Sequence, residues 1–246
     1  MLPDVKKITF RSYGGTDRGL EREENEDAML VDDVHNVFAV ADGLGGLPQG
    51  AYASRLAIEA LEKIVNESEG LDEVDLRGLF QKINKELHIA GQKVNKELGI
   101  GTTLTMARVV NGEIFIAHVG DTGIFRFRDG QCEKLTVDHT MAQEMRSRLA
   151  PDEDIYIPEY FSHTLTRCLG QMPSLKCDVY RYEVEPGDRL LMFSDGVTKV
   201  FEEQGLVDCA NKASSPEVFV DNIIDFANEQ GGPDNCTAIA LFFEYS

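Results

Sequence analysis

The chain has 246 residues and a formal net charge of −19, with 43 acidic against 24 basic side chains. This excess of negative charge argues against nucleic acid or an anionic membrane surface as the main partner. A hydrophobic fraction of 42% suffices for a sizeable core, and no apolar run approaches the ~20 residues of a membrane span. Five scattered cysteines favour reduced thiols, and with no signal-peptide pattern at the start they predict a cytoplasmic protein.

The first hundred residues begin with short apolar runs and then change to helical spacing. Gly14-Gly15 is expected to end the first strand, and a polar loop over residues 16–27 leads into the second. Further on, apolar residues recur every three to four positions in two stretches, which predicts two amphipathic helices. The expected strands are residues 7–13, 28–31 and 37–41, and the expected helices are residues 53–65 and 75–98.

From residue 103 onwards the pattern is that of strands joined by tight turns. Asn111-Gly112 and Asp129-Gly130 are both typical of two-residue hairpin turns. Strands that follow one another in this way favour antiparallel sheets over alternating strands and helices. The expected strands are residues 103–110, 114–119, 124–128, 177–184, 189–193 and 236–243. Helices are expected over 139–149 and from Ser215 to Gly231. A long exposed loop is expected over 150–162, and it carries the acidic run 152–154. No linker or repeat interrupts the chain, so residues 1–246 are expected to form one domain.

A carboxylate stands at one end of five of these strands. The five residues are Asp27, Asp42, Asp121, Asp195 and Asp234. Carboxylates crowded at a sheet edge repel one another unless a cation lies among them, and such hard oxygen ligands favour Mg²⁺, Mn²⁺ or Ca²⁺. For any one aspartate beside a glycine, the alternative is ordinary turn chemistry. The recurrence of the feature at five strand ends favours a metal site.

Several short motifs follow one another along nearly the whole chain. They are residues 17–22 with 25–27, 41–46, 101–103, 119–121, 165–170, 194–196 and 232–235. Each is weak alone, but the ordered set resembles the metal-dependent protein phosphatase family of the protein phosphatase 2C type, in its compact bacterial form. The resemblance implies an α+β fold, a four-layer αββα sandwich of two antiparallel sheets flanked by antiparallel helix pairs, with the metals at one end.

The resemblance also implies a serine/threonine protein phosphatase that uses two Mn²⁺ or Mg²⁺ ions. Two such ions can share a water, lower its pKa and direct it at the phosphorus, so that no Ser or Cys nucleophile is required. By similarity, the metal ligands are Asp42 as the bridging residue, Asp195, Asp234, the Gly43 carbonyl and, partly through water, Glu26 and Asp27. Arg22 is similar in position to the arginine that holds the substrate phosphate, for which a guanidinium is suited. The alternative for Arg22 is a salt bridge with a neighbouring glutamate.

The residue after Asp42-Gly43 bears on the source of the proton that the leaving group needs. Leu44 stands where some family members have a histidine that acts as general acid. Asp121 resembles the aspartate that binds a third, weaker metal together with the equivalent of Asp195, and water on that metal is acidic enough to donate a proton. The alternative for Asp121 is that it only caps its turn. His163, which directly precedes Thr164-Leu-Thr-Arg167, is either near the site or an ordinary loop residue, and a lone histidine favours the loop residue.

The implied substrates are phosphorylated proteins, with a cognate serine/threonine kinase as the opposing enzyme and with the phosphatase as a monomer. A catalytically inactive binding module is the main alternative, but such a protein should have lost metal ligands that are all present here. A calcium-binding regulatory protein is a further alternative. It is disfavoured because the chain has no twelve-residue loop of the calcium-binding type.

Overall fold

The computed structural model describes residues 7–67, 75–150, 153 and 155–246, and within these residues ten strands form two five-stranded sheets. The strands are β1 (Ile8–Asp17), β2 (Asp27–Asp32), β3 (Val37–Asp42), β4 (Leu104–Val110), β5 (Glu113–Val119), β6 (Gly123–Arg128), β7 (Gln131–Lys134), β8 (Asp178–Glu183), β9 (Arg189–Phe193) and β10 (Cys236–Tyr245). The first sheet has the order β1-β10-β9-β6-β7 and the second the order β2-β3-β4-β5-β8. All neighbouring strands in both sheets are antiparallel, as the sequence predicts.

Helices cover the outer faces of both sheets. They are α1 (Gly50–Glu67), α2 (Leu76–Val94), α3 (Met141–Arg146), α4 (Asp195–Thr198), α5 (Glu203–Lys212) and α6 (Pro216–Glu229), with a 3-10 helix over Glu159–His163. The pair α1 and α2 packs on the second sheet, and the pair α5 and α6 packs on the first. Among the helices of the described ranges, none has the length and apolar character that a bilayer span requires.

Apolar side chains fill three layers of core, one between the sheets and one beneath each helix pair. The layer between the sheets includes Phe38, Ile116, Met192 and Ile239. The layer under α1 and α2 includes Leu61, Phe80 and Ile83, and the layer under α5 and α6 includes Leu206, Phe219 and Ile223. This alternation of helices, sheet, sheet and helices confirms the expected four-layer αββα sandwich.

The expected end of the first strand is wrong, because β1 continues through both glycines to Asp17. Gly14 pairs with Ile239 and Gly15 with Ala238 of β10. A Cβ atom on Gly14 would lie 2.7 Å from a methyl group of Val31, and one on Gly15 would lie 2.8 Å from Ile224. The glycines therefore allow neighbouring side chains to approach the strand closely on its two faces, and they do not form a turn.

The second helix ends at Val94 and not at Leu98, which is 51% exposed. The backbone of Asn95 is extended, with φ of −151°, and its side-chain oxygen accepts hydrogen bonds from the N–H groups of Glu97 and Leu98. An asparagine that bonds the backbone two and three residues ahead stabilises a turn in place of a further helical turn.

Several elements differ from the sequence-based prediction in the second half of the chain. The expected helix over 139–149 is shorter and occupies Met141–Arg146, with Thr140 as its N-cap. The strand β7 and the helices α4 and α5 were not predicted at all. The expected loop over 150–162 is described only in part, because residues 151, 152 and 154 lie outside the described residues, and two of these belong to the acidic run. Toward the end of this loop, the 3-10 helix begins at Glu159.

Candidate active site

Strands from both sheets end at one cleft of about 940 Å³. The side chains that line it include Arg22, Glu26, Asp42, Asp121, His163, Asp195, Lys199 and Asp234. Antiparallel pairing of β2 with β3 places Asp27 opposite Asp42. Asp195 follows β9 as the first residue of α4, and Asp234 lies two residues before β10. The structure therefore brings together at one end of the sandwich the carboxylates that the sequence predicts for a metal site.

The backbone around Asp42 and Gly43 is held from several sides. The Asp42 N–H donates to Thr103 Oγ1 at 2.9 Å, while the Asp42 carbonyl accepts from the Thr103 N–H and from Thr102 Oγ1, both at 2.8 Å. A Cβ atom on residue 43 would lie 2.3 Å from the carbonyl oxygen of Gly50, where α1 begins. Only glycine fits at this close approach of two backbone segments.

Asp27 is buried and connects the two sheets. Its Oδ2 atom accepts hydrogen bonds from Ser194 Oγ at 2.7 Å and from Thr237 Oγ1 at 2.6 Å, both on the first sheet's side of the site. Its Oδ1 atom is buried without a hydrogen-bond partner in the described part of the chain. Burial raises the pKa of Asp27 to about 7, although the two hydroxyl groups act in the opposite direction. A buried carboxylate oxygen without a partner is costly, and coordination to a cation would satisfy it.

The carboxyl groups of Asp42 and Asp121 also have raised pKa values. Burial raises the pKa of Asp42 well above its ordinary value, and the negative charges of Asp27 and Asp195 raise it further. Burial also raises the pKa of Asp121 to about 7, again with a contribution from Asp195. These shifts express the cost of crowding anions in a region of low dielectric constant, a cost that a cation in the cleft would offset.

Two basic side chains pair with the remaining carboxylates. Arg22 Nη2 lies 2.8 Å from Asp234 Oδ2, so the ion pair it makes is with Asp234 and not with a neighbouring glutamate. Lys199 Nζ lies 2.6 Å from Asp195 Oδ2 and also forms an ion pair with Asp234. Burial raises the pKa of Asp195, but His163 and Lys199 outweigh burial and hold that pKa below its ordinary value. Lys199 is a site residue that the sequence analysis missed.

The loop that carries Arg22 and Glu26 is held by Asn235. The Asn235 side-chain oxygen accepts from the Glu26 N–H at 2.8 Å, and its amide group donates to the carbonyl oxygens of Arg18 and Glu24. The Glu26 carbonyl in turn accepts from the Gly43 N–H at 3.0 Å. Asn235 is therefore a positioning residue, and its place in the Gly232-Pro-Asp-Asn235 motif is the sequence signal that could have identified it.

His163 lies in the cleft and is not an ordinary loop residue. It is the last residue of the 3-10 helix, and its Nδ1 atom lies 3.8 Å from Asp195 Oδ2. The Asp195 carboxylate raises the pKa of His163 against the effect of burial. The neighbouring carboxylate was not visible in the sequence, because 32 positions separate the two residues along the chain.

The donor set fits a hard divalent cation. Every candidate ligand supplies oxygen, one buried carboxylate oxygen lacks a partner, and anions outnumber cations around the cleft. Within the described ranges, no three His, Cys, Asp or Glu side chains are arranged closely enough to hold a metal ion without some movement. Asp195 instead forms an ion pair with Lys199, and Asp234 forms ion pairs with Lys199 and Arg22.

Comparisons with known proteins identify the family. Residues 15–233 match the family model described as protein phosphatase 2C. The serine/threonine phosphatase stp of Listeria welshimeri serovar 6b is 30% identical over 236 residues, which cover 92% of this chain and 93% of that protein.

Solved structures agree with this result. The Ser-Thr phosphatase MsPP of Mycobacterium smegmatis, in complex with cacodylate, superposes with a TM-score of 0.81 at 33% identity, over 94% of this chain and 97% of that one. The catalytic domain of the serine/threonine phosphatase PstP, in complex with two manganese ions, superposes with a TM-score of 0.81 at 26% identity, over 96% and 99% of the two chains. With its fold, its cleft and these similarities, the chain belongs to the protein phosphatase 2C family.

Proposed function

We propose that this protein phosphatase removes phosphate from phosphoserine and phosphothreonine in proteins, in a reaction that depends on Mn²⁺ or Mg²⁺. The observation that carries the proposal is the convergence of oxygen donors from separate strands on one cleft that also contains an exposed arginine. Relatives named as serine/threonine phosphatases over nearly the full length of the chain support the substrate class.

Two divalent cations are proposed to bind among Asp42, Asp195 and Asp234, with further oxygens from the Gly43 carbonyl, Glu26 and Asp27. The pair of manganese ions in the PstP structure supports this number. When bound, such cations acidify a water molecule and neutralise charge on the phosphoryl oxygens. The protein's own contribution is a rigid frame, since hydrogen bonds from the Thr102 hydroxyl and the Thr103 N–H to the Asp42 carbonyl hold this residue in place.

Arg22 is proposed to hold the phosphate of the substrate. Its side chain is 43% exposed at the cleft, and its guanidinium already binds a carboxylate, that of Asp234, at 2.8 Å. Carboxylate and phosphate oxygens present similar acceptor geometry to a guanidinium, so the same donors can turn to a substrate phosphate when a cation neutralises Asp234.

Asp121 is proposed to bind a third, weaker cation together with Asp195. Both residues line the cleft, and the charge of Asp195 contributes to the raised pKa of Asp121. The place is suited to delivery of a proton to the departing alkoxide, which Leu44 cannot supply.

We further propose that residues 1–246 form a single catalytic domain, that the protein works as a monomer in the cytoplasm, and that it opposes a serine/threonine kinase. The shared core between the two sheets supports a single domain, because neither sheet could bury its inner face alone. Five free thiols support a reducing compartment.

The decisive experiment compares phosphopeptides that differ only in the phosphorylated residue. We expect release of phosphate from phosphoserine and phosphothreonine peptides with Mn²⁺ or Mg²⁺, and none after addition of excess chelator. A matched phosphotyrosine peptide serves as the control for the substrate class. The absence of hydrolysis at every metal concentration, with the protein shown to be folded, would favour an inactive binding module.

A further inference from the structure

Lys199 makes two ion pairs inside the cleft with residues that lie far apart along the chain. The single turn of α4 positions it, because the Lys199 N–H donates to the Asp195 carbonyl at 2.9 Å. Asp195 and Lys199 are four positions apart on this turn, and Lys199 Nζ lies 2.6 Å from Asp195 Oδ2. The same ammonium group also pairs with Asp234, which precedes β10. One cation thus joins the two carboxylates.

These ion pairs are shielded from solvent. The exposed fraction of the side chain is 25% for Lys199, 17% for Asp195 and 10% for Asp234. Charges in such surroundings are screened less by water and salt than charges on the surface. Removal of the ammonium would leave Asp234 with Arg22 and Asp195 with His163 as their remaining basic partners.

We propose that the ammonium group of Lys199 competes with a divalent cation for Asp195 and Asp234 and thereby sets the metal concentration at which the phosphatase becomes active. This inference rests on the proposed function, in which Asp195 and Asp234 are metal ligands. The ammonium holds the two carboxylates together in the metal-free protein, and the flexible four-carbon side chain then moves aside when a divalent cation arrives.

The consequence for metal affinity follows from linked equilibria. A cation can bind only to the fraction of molecules in which Lys199 has left the carboxylates, so the apparent dissociation constant is the intrinsic one divided by that fraction. Hydrogen bonds between charged groups are strong enough to make this fraction small. The lysine is therefore expected to weaken metal binding without contacting the substrate.

The test is a titration of the full chain with Mn²⁺ in the absence of substrate, in which isothermal titration calorimetry measures the dissociation constant. Lys199→Met removes the charge and keeps a flexible side chain, and we expect it to tighten Mn²⁺ binding by about tenfold or more. Lys176→Met is the matched control, because Lys176 lines the same cleft and makes no ion pair within the described part of the chain. That control should change the dissociation constant by less than about twofold.

Thermal unfolding supplies a second measurement that does not depend on catalysis. In excess chelator, Lys199→Met should unfold at a lower temperature than the wild type because Asp195 and Asp234 lose the ammonium that they share, and saturating Mn²⁺ should remove the difference. If Lys199→Met does not fold, Lys199→Gln keeps a hydrogen-bond donor without the charge and should show the same tightening.

The outcomes separate this inference from the proposed function. Wild-type protein that fails to bind Mn²⁺ would overturn the proposed metal site itself. Wild-type protein that binds Mn²⁺, with a dissociation constant unchanged in Lys199→Met or changed equally in Lys176→Met, would overturn the competition alone.

Discussion

The dipeptide Asp-Gly occurs at Asp42-Gly43 in the cleft and at Asp129-Gly130 in the hairpin between β6 and β7, and its physical role differs between the two. In the hairpin, both residues have left-handed backbone conformations, with φ of 51° and 76°, and a Cβ atom on Gly130 would meet nothing within 4 Å. In the cleft, Gly43 has no left-handed conformation but lies against the carbonyl oxygen of Gly50.

The aspartates of the two dipeptides also differ in their surroundings. Asp129 is exposed, whereas burial and neighbouring anions raise the pKa of Asp42 well above its ordinary value. Turn chemistry therefore explains the hairpin dipeptide fully, and it explains nothing about the dipeptide in the cleft. A short motif acquires its meaning from what the fold brings next to it.

The sharpest test of this contrast is the same substitution at both aspartates. Asp42→Ala should lower kcat by about a thousandfold or more, because a metal ligand contributes several kcal/mol to stabilisation of the transition state. Asp129→Ala should leave kcat unchanged. The measurement is steady-state hydrolysis of a phosphothreonine peptide at saturating Mn²⁺. Retention of a tenth of the wild-type kcat by Asp42→Ala would contradict its bridging role.

The two glycines provide the corresponding test of stability. Gly43→Ala should lower the free energy of unfolding by about 2–3 kcal/mol, because the added methyl group overlaps the Gly50 carbonyl. Gly130→Ala should cost about 1 kcal/mol for the left-handed conformation alone. Urea denaturation of both variants checks these values. Equal losses, with activity retained in both, would mean that the close approach at Gly43 is relieved by a small shift.

Asp121 extends the comparison, since it also stands beside a glycine at a strand end but faces the cleft. Asp121→Asn should lower kcat by about a hundredfold on a phosphopeptide, whose alkoxide leaving group needs a proton. The loss should be much smaller on para-nitrophenyl phosphate, whose leaving group departs without one. Equal losses on the two substrates would rule out a role in proton delivery, and no loss on either would make Asp121 a turn residue.

Two arginines of one loop give the smallest expected difference. Arg22→Ala should raise KM for a phosphopeptide by about tenfold, the loss of one hydrogen bond to a charged group. Arg18→Ala is the control, because the Arg18 side chain is exposed and, among the residues that the structure describes, donates only to the carbonyl of Glu23 at 3.3 Å. Initial rates over a range of peptide concentrations separate KM from kcat. An unchanged KM in Arg22→Ala would leave this residue as the ion-pair partner of Asp234.

The turns and helix starts that a short run of neighbouring residues specifies were correctly predicted from the sequence. The Asn111-Gly112 turn has the left-handed conformations that its residues favour, with φ of 51° and 80°. Helix α6 begins at Ser215 and Pro216, as the capping pattern indicates. The edge strand β7 escaped prediction because its four residues are polar or only half-buried, and an edge strand needs no alternating apolar face. In α5 only Leu206, Val207 and Ala210 are buried, too few for a clear helical stripe.

The cleft was predictable only in part. The aspartates were visible because strand ends and glycines mark them. Lys199 was not, since it reaches Asp195 only if a helical turn begins there and reaches Asp234 only in the folded chain. For the same reason, the sequence favoured an ordinary loop residue for His163 over a place near the site. Residues that owe their role to contacts between distant segments leave no periodic or capping signal in a single sequence.

The hydrogen bonds of Asp27 help to hold the two sheets together at the cleft. Toward the far end of the sandwich, the ring of Phe10 on the first sheet packs against Phe38 on the second, with ring centroids 5.7 Å apart. At the cleft the sheets are closed by the Asp27 carboxylate, which belongs to one sheet and binds hydroxyl groups of the other. Cohesion at this end thus depends on polar groups that ionisation and cations alter. Variants of Asp27 will change the cohesion of the two layers and the turnover together, and their kinetics should be interpreted beside their resistance to unfolding.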